Sequence, residues 1–259
     1  MDNPTAASPQ ATLLQLDAVS VRRGAVQILD GLSLQAGRAG ISCVIGPNGA
    51  GKTSMFNALT GRLPPDQGEI RFNGDAIARY PAWRVAQLRI ARKFHIPSLF
   101  AGLSVRENLL IALWANRLAP RDHLRIVALH WYSPLSQRLL ERLLMLEQRQ
   151  QTPAGSLSQG AWQMLEFAMV AMMEPRLMLL DEPCAGLSPA ETQQMMDNIR
   201  WTIDTLDASA LLIEHDMSAV ESIGGHVYVL HQGKLLAEGP LADIKASELV
   251  RNVYLGGKK

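Results

Sequence analysis

Nine residues constrain this chain more than any others: Gly46, Pro47, Asn48, Gly49, Ala50, Gly51, Lys52, Thr53 and Ser54. A glycine, four residues and then Gly-Lys-Thr is the spacing of a loop that wraps phosphate. The glycines admit positive φ and bring backbone N–H groups against phosphate oxygens. Lys52 would reach the terminal phosphates of a nucleotide, and Thr53 would offer its hydroxyl to Mg2+. A helix starting here would aim its positive end at the anion. The flanks fit this reading. Ile41 to Ile45 is an apolar run that reads as a buried strand, and Thr53 to Thr60 reads as a helix stopped at Gly61.

The rest of the chain sorts into alternating elements. Leu13 to Arg22 alternates like a strand and runs into a turn at Gly24. Gly68 to Ile77 reads as a strand pair about Asn73-Gly74. From Pro81 to about Gln151 the chain is rich in Leu, Arg, Ala and Gln at helical spacing, which predicts an inserted helical subdomain. Beyond Pro153 the spacing predicts a helix (Ala161–Met173), a strand (Leu177–Glu182), a helix (Pro189–Leu206) and a strand (Ala210–Asp216). A hairpin about Gln232-Gly233 follows. Such alternation implies an α/β fold: a phosphate-loop ATPase core with a mostly parallel sheet, an N-terminal antiparallel β subdomain and the helical insertion. The expected division is a disordered lead-in (1–12), first core part (13–80), helical subdomain (81–160), second core part (161–240) and C-terminal extension (241–259).

Composition narrows the function. Hydrophobic residues make up 47% of the 259, enough for a sizeable core. The net charge is +1 with no basic run, so nucleic acid is not expected as a partner. Apolar runs such as Leu109 to Ala115 fall far short of the roughly 18 residues that a membrane span needs. The first residues lack the charged start and apolar centre of a signal peptide. Cys43 and Cys184 form no disulfide framework, and both read as packing residues of a reducing compartment.

Two more strand ends carry chemistry. Leu177 to Leu180 runs into Asp181-Glu182, and carboxylates at the carboxyl end of a buried parallel strand sit where open α/β sheets bind ligands. Asp181 would hold Mg2+ through a water, and Glu182 would act as general base on the attacking water. Leu211 to Glu214 runs into His215, placed to touch the γ-phosphate and that water.

Phosphate loop, Leu157-Ser158-Gln159-Gly160-Ala161, the Asp181-Glu182 strand and the His215 strand follow one another in an order that resembles an ABC-transporter ATP-binding subunit, from about Leu13 to Gly256. The segments Ala91–Ala112, Ile213–Met217, Val229–Leu241 and Val253–Gly257 resemble the branched-chain amino acid and urea importers. Arg92-Lys93-Phe94 and His231–Gly239 look most like the urea subunit. The resemblance implies that two subunits sandwich two ATP molecules, each site joining one chain's phosphate loop to the other's signature. It also implies membrane-spanning permease partners, an external solute-binding protein and a peripheral place on the cytoplasmic face of the inner membrane.

Against the family pattern, the signature keeps Ser158 and Gly160 but has Gln159 and Ala161 for Gly and Gln. His95 stands where a glutamine faces metal and water, Arg23 where an aromatic stacks on adenine, and Ser188 where many members have Asp. A guanidinium can stack on a base. The resemblance therefore favours pairing with a second ATPase subunit that supplies a regular signature. A fully active homodimer, a lipid or lipopolysaccharide exporter, and an ATP-binding regulatory subunit remain as alternatives.

Overall fold

A computed structural model of the chain describes residues 12–93, 99–115, 134–143, 146, 148–215 and 217–255. The expected lead-in, apart from Thr12, lies outside the described residues, as do His95 and the last four residues of the C-terminal extension.

The first half holds β1 (Thr12–Arg23), β2 (Val26–Gly37), β3 (Ile41–Ile45), α1 (Lys52–Leu59), β4 (Gln67–Phe72), β5 (Asp75–Ala76), α2 (Ala82–Gln87), β6 (Ile90–Lys93) and α3 (Val105–Ala115). The second holds α4 (Pro134–Arg142), α5 (Gln159–Met172), β7 (Leu177–Asp181), α6 (Pro189–Leu206), β8 (Ser209–Ile213), α7 (Met217–Ile223), β9 (His226–His231), β10 (Lys234–Pro240), α8 (Leu241–Ala246) and α9 (Glu248–Leu255).

Two sheets result. One is antiparallel, in the order β2-β1-β4-β5. The other runs β10-β9-β3-β8-β7-β6, with every pair parallel except β9 with β10. Period-two alternation along its strands builds two cores. Leu177, Leu179, Leu211, Ile213 and Val44 face α1 and the antiparallel sheet. Met178, Leu180, Leu212, Cys43 and Ile45 face the cluster that includes α3, α5 and α6. A strand covered on both sides is apolar throughout, which is why Leu177–Leu180 shows no alternation in sequence.

Local signals place most boundaries. Ser188 and Glu191 form a reciprocal capping box at the start of α6, with Pro189 in the first turn and Asp207 left-handed at its end. The capping pair explains a serine at position 188, since its hydroxyl accepts the Glu191 N–H. The signature helix α5 starts at Gln159, two residues before the expected Ala161, because Ser158 caps it by accepting the Ala161 N–H at 3.4 Å.

Two strands depart from expectation. The chain beyond Gly24 turns back as β2, pairing with β1 from Arg23↔Val26 to Thr12↔Gly37. Within the stretch expected to be helical, β6 adds a parallel edge strand to the core, Ile90 opposite Leu177 and Lys93 opposite Leu180. Its sequence, Ile-Ala-Arg-Lys, has no strand-like pattern of apolar residues. The free edge of β7 and two remote carboxylates make it a strand. Among the described residues no helix is long and apolar enough to cross a membrane.

Candidate functional site

The phosphate loop leaves β3 at Ile45 and enters α1 at Lys52. Gly46 has φ +155°, and a Cβ there would lie 2.2 Å from the Leu230 carbonyl oxygen, so only glycine lets the loop pass β9. Gly51 caps α1 in the left-handed region, at φ +102°, with no side chain bonded to the first helical amides. Those amides are free of intrahelical partners and available to an anion. Gly233, in the β9–β10 turn, donates its N–H to the Ala50 carbonyl and holds the loop from the far side.

Lys52 is buried, and its ammonium donates to the carbonyls of Gly46 at 2.7 Å and Pro47 at 3.1 Å. Burial lowers its pKa, and the nearby charges of Glu182 and Asp181 oppose that shift. Thr53, next to it, is exposed.

Asp181 ends β7 almost fully buried, and its Oδ2 accepts from the Arg92 guanidinium at 3.0 Å. Glu182 follows in the left-handed region at φ +49°, a strained backbone for a glutamate, of the kind found at functional sites. Its N–H donates to the Ile213 carbonyl at 2.9 Å, tying the ends of β7 and β8 together. His215, two residues past β8, places Nε2 2.6 Å from Glu182 Oε1. With the carboxylate ionised, Nε2 must carry the proton that makes this contact a hydrogen bond. Beneath it, Glu214 is buried and accepts the Cys184 N–H at 3.1 Å. Burial, with Glu182 nearby, pushes its pKa up to about 7.

Asn48 to Ser54, Glu182 and His215 line one cavity of about 240 Å³, together with Ile28 of β2. A larger cavity, about 460 Å³, lies at the opposite ends of β3 and β9 and includes none of these motif residues. The phosphate loop, Glu182 and His215 therefore gather at the smaller one, outside the carboxyl ends of the strands, where open α/β sheets bind ligands.

The remaining sequence candidates are elsewhere. Gly46 and Pro47 touch Lys52 from below. Arg23 closes the β1–β2 hairpin opposite Val26 and does not line the cavity. Ser158 and Gly160 sit at the start of α5 and do not line it either. A Cβ on Gly160 would lie 2.1 Å from Glu191 Oε1, so the α6 cap fills the space beside the signature glycine. Gln159 leans over the Ala185–Ser188 loop, where a Cβ on Gly186 would lie 3.6 Å from its Cγ. Cys43 and Cys184 are buried and are not joined in a disulfide, as packing residues would be.

Sequence reasoning missed Ile28, Arg92 and Glu214. Arg92 left one signal, two consecutive cations beside apolar residues in Arg89–Lys93.

The oxygen donors available suit Mg2+, which keeps several waters and binds through one or two carboxylates plus substrate phosphates. They are the exposed Thr53 hydroxyl and the Asp181 carboxylate, one oxygen of which Arg92 occupies. Among the described residues no group of three or more His, Cys, Asp or Glu could hold a metal ion.

Residues 29–185 match the family model described as ABC transporter. The chain is 34% identical over 259 residues to the high-affinity branched-chain amino acid transport ATP-binding protein BraF of Pseudomonas aeruginosa, covering 94% of this chain and 98% of that one. It is 33% identical over 252 residues to the corresponding protein LivG of Escherichia coli, at the same coverage. Among solved structures, a nucleotide-free ATP-binding cassette from an ABC transporter matches with a TM-score of 0.83 at 26% identity, covering 94% of this chain and 98% of that chain. The ADP conformation of such a cassette matches with a TM-score of 0.81 at 26% identity, covering 95% and 99%. Loop, strand order, sequence and fold agree: the chain belongs to the ABC transporter family, as an ATP-binding subunit of the ATP-hydrolysing type.

Proposed function

We propose that this subunit powers an importer for branched-chain amino acids or a similar small polar solute, urea included. The convergence of the phosphate loop, Glu182 and His215 on one cavity carries the catalytic half of this reading. The likeness to BraF and LivG supports the importer half. ATP-binding subunits of this family work with membrane permeases. This one would sit on the cytoplasmic face of the inner membrane, with a solute-binding protein acting on the far side.

ATP would lay its β- and γ-phosphates in the loop, against the amides of Gly49 to Ser54 and the Lys52 ammonium. Arg23 would stack on the adenine. Glu182 would take a proton from water as the water oxygen attacks the γ-phosphorus. The bond from that phosphorus to the β–γ bridging oxygen breaks, and ADP leaves with the electron pair. His215 would hold the Glu182 carboxylate in line and contact the γ-phosphate. Mg2+, held by Thr53 and through water by Asp181, with His95 near it, would offset charge building on the phosphates.

Ser158 and Gly160 would serve the partner's nucleotide, presented by the first turn of α5. Gln159 adds bulk there, so a second ATPase subunit with a regular signature would give the better site on this chain's own phosphate loop. The test is reconstitution of the chain with its permease pair in vesicles, with and without a second ATPase subunit. Hydrolysis raised by the partner and by leucine or urea supports the proposal. Stimulation by lipid substrates alone would point to export. ATP binding without turnover in either setting would point to a regulatory subunit.

A further inference from the structure

Arg92 carries the strongest signal outside the established motifs. Its side chain is 4% exposed, and that of Asp181, its partner, 1%. Nη2 lies 3.0 Å from Asp181 Oδ2, and Nη1 lies 2.7 Å from Asn57 Oδ1. The guanidinium sits 5.4 Å from the centre of the Phe56 ring. Asn57 and Phe56 belong to α1, the helix that the phosphate loop opens. One planar fork thus joins the edge strand, the β7 carboxylate and the phosphate-loop helix.

Alternation makes this local. Ile90 and Arg92 face α1, while Ala91 and Lys93 face the other core. Lys93 there meets Glu166 of α5 at 3.3 Å, also buried. Two adjacent cations therefore serve opposite faces of the sheet. A buried arginine needs a fixed anion and further hydrogen-bond partners, and a rigid fork fixes the geometry of both.

We infer that Arg92 is a positioning residue for the nucleotide's metal: it grips one oxygen of Asp181 and moors it to α1 through Asn57, leaving the other oxygen for a Mg2+-bound water. The inference rests on the reading of Asp181 given above. The phosphate loop binds the phosphates through its own amides and Lys52, so losing Arg92 leaves ATP affinity in place and weakens the response to Mg2+.

The test measures thermal stabilisation of the purified chain by ATP with EDTA, and by ATP with titrated Mg2+, for Arg92→Met, Arg92→Lys and Asp181→Asn. The Mg2+ dependence of phosphate release is followed in parallel. Arg92→Met should keep the ATP–EDTA stabilisation and need about tenfold more Mg2+ for half effect, an order-of-magnitude expectation for one charge-assisted hydrogen bond. Arg92→Lys, which keeps the charge but loses the fork, should fall between the two. If Arg92→Met does not fold, Arg92→Lys decides alone. Asp181→Asn should lose the Mg2+ response, and adding Arg92→Lys to it should change nothing further. Lys93→Met, on the other face, should lower Tm without moving the Mg2+ midpoint. An unchanged midpoint in the Arg92 variants, with Asp181→Asn altered, would overturn the inference and leave the Asp181 reading standing. An unchanged response in Asp181→Asn would overturn both. An equal midpoint shift in Lys93→Met would reduce Arg92 to general packing.

Discussion

His215 Nε2 and Glu182 Oε1 lie 2.6 Å apart, although 33 positions separate them in the chain (215 − 182). The pairing exists because β7 and β8 are parallel neighbours in register, Asp181 opposite Ile213, so that their carboxyl ends deliver both side chains to one place. It makes the carboxylate and the imidazole a single unit. Glu182→Gln should lower kcat by about 10²- to 10⁴-fold while ATP binding survives. His215→Ala should lower kcat with it, and the double variant should be little worse than either single one. Phosphate release and labelled-ATP binding on the same preparations check this, and multiplicative losses would show two independent groups.

Gly46→Ala tests the backbone path of the loop. The added Cβ would meet the Leu230 carbonyl at 2.2 Å, and neither backbone can yield without moving β9. A loss of roughly 1–3 kcal/mol in stability is expected, together with loss of ATP binding. A variant that melts and binds ATP like the parent would show that the loop has another path.

Glu214 predicts a pH dependence. Its pKa is about 7 in the fold against 4.5 as the ordinary value, so the folded chain holds this proton more tightly than the unfolded one. The stability it contributes is therefore present below about pH 4.5 and is lost as pH rises through about 7. Glu214→Gln keeps an acceptor for the Cys184 N–H and removes the titration. At pH 8 it should be the more stable protein, by about 3 kcal/mol at most. Melts from pH 5 to 8 should converge at the acid end, and parallel curves would count against the assignment.

Gln159→Gly tests the pairing proposal. Gln159 is exposed, beside the Gly186 loop, so trimming it disturbs no core. Turnover of the chain by itself should rise, on the order of tenfold if the side chain costs the clamp about 1.4 kcal/mol. Turnover at the site completed by a regular partner should stay nearly unchanged. Ala161→Gln is the poorer experiment, because Ala161 is 0% exposed and has no room for the longer side chain. An unaltered rate in the single chain would mean that Gln159 is tolerated as it stands.

Chemistry that depends on neighbours in the chain was legible from the residues. The phosphate loop declares itself because its glycines, lysine and threonine act through one continuous backbone. The ends of α6 declare themselves because Ser188, Pro189 and Glu191 act on each other within a single turn. The parallel core could be read from apolar runs ending in Asp181-Glu182 and in His215. What no local pattern carried was β6, the Arg92 bridge and the burial of Glu214. Arg92 and Lys93 belong on a surface by composition. They enter the interior only because Asp181, 89 positions away, and Glu166, 73 away (166 − 93), wait on opposite faces of the sheet. A buried charge is decided by partners distant in sequence, since its desolvation is offset only where the fold brings the opposite charge to it.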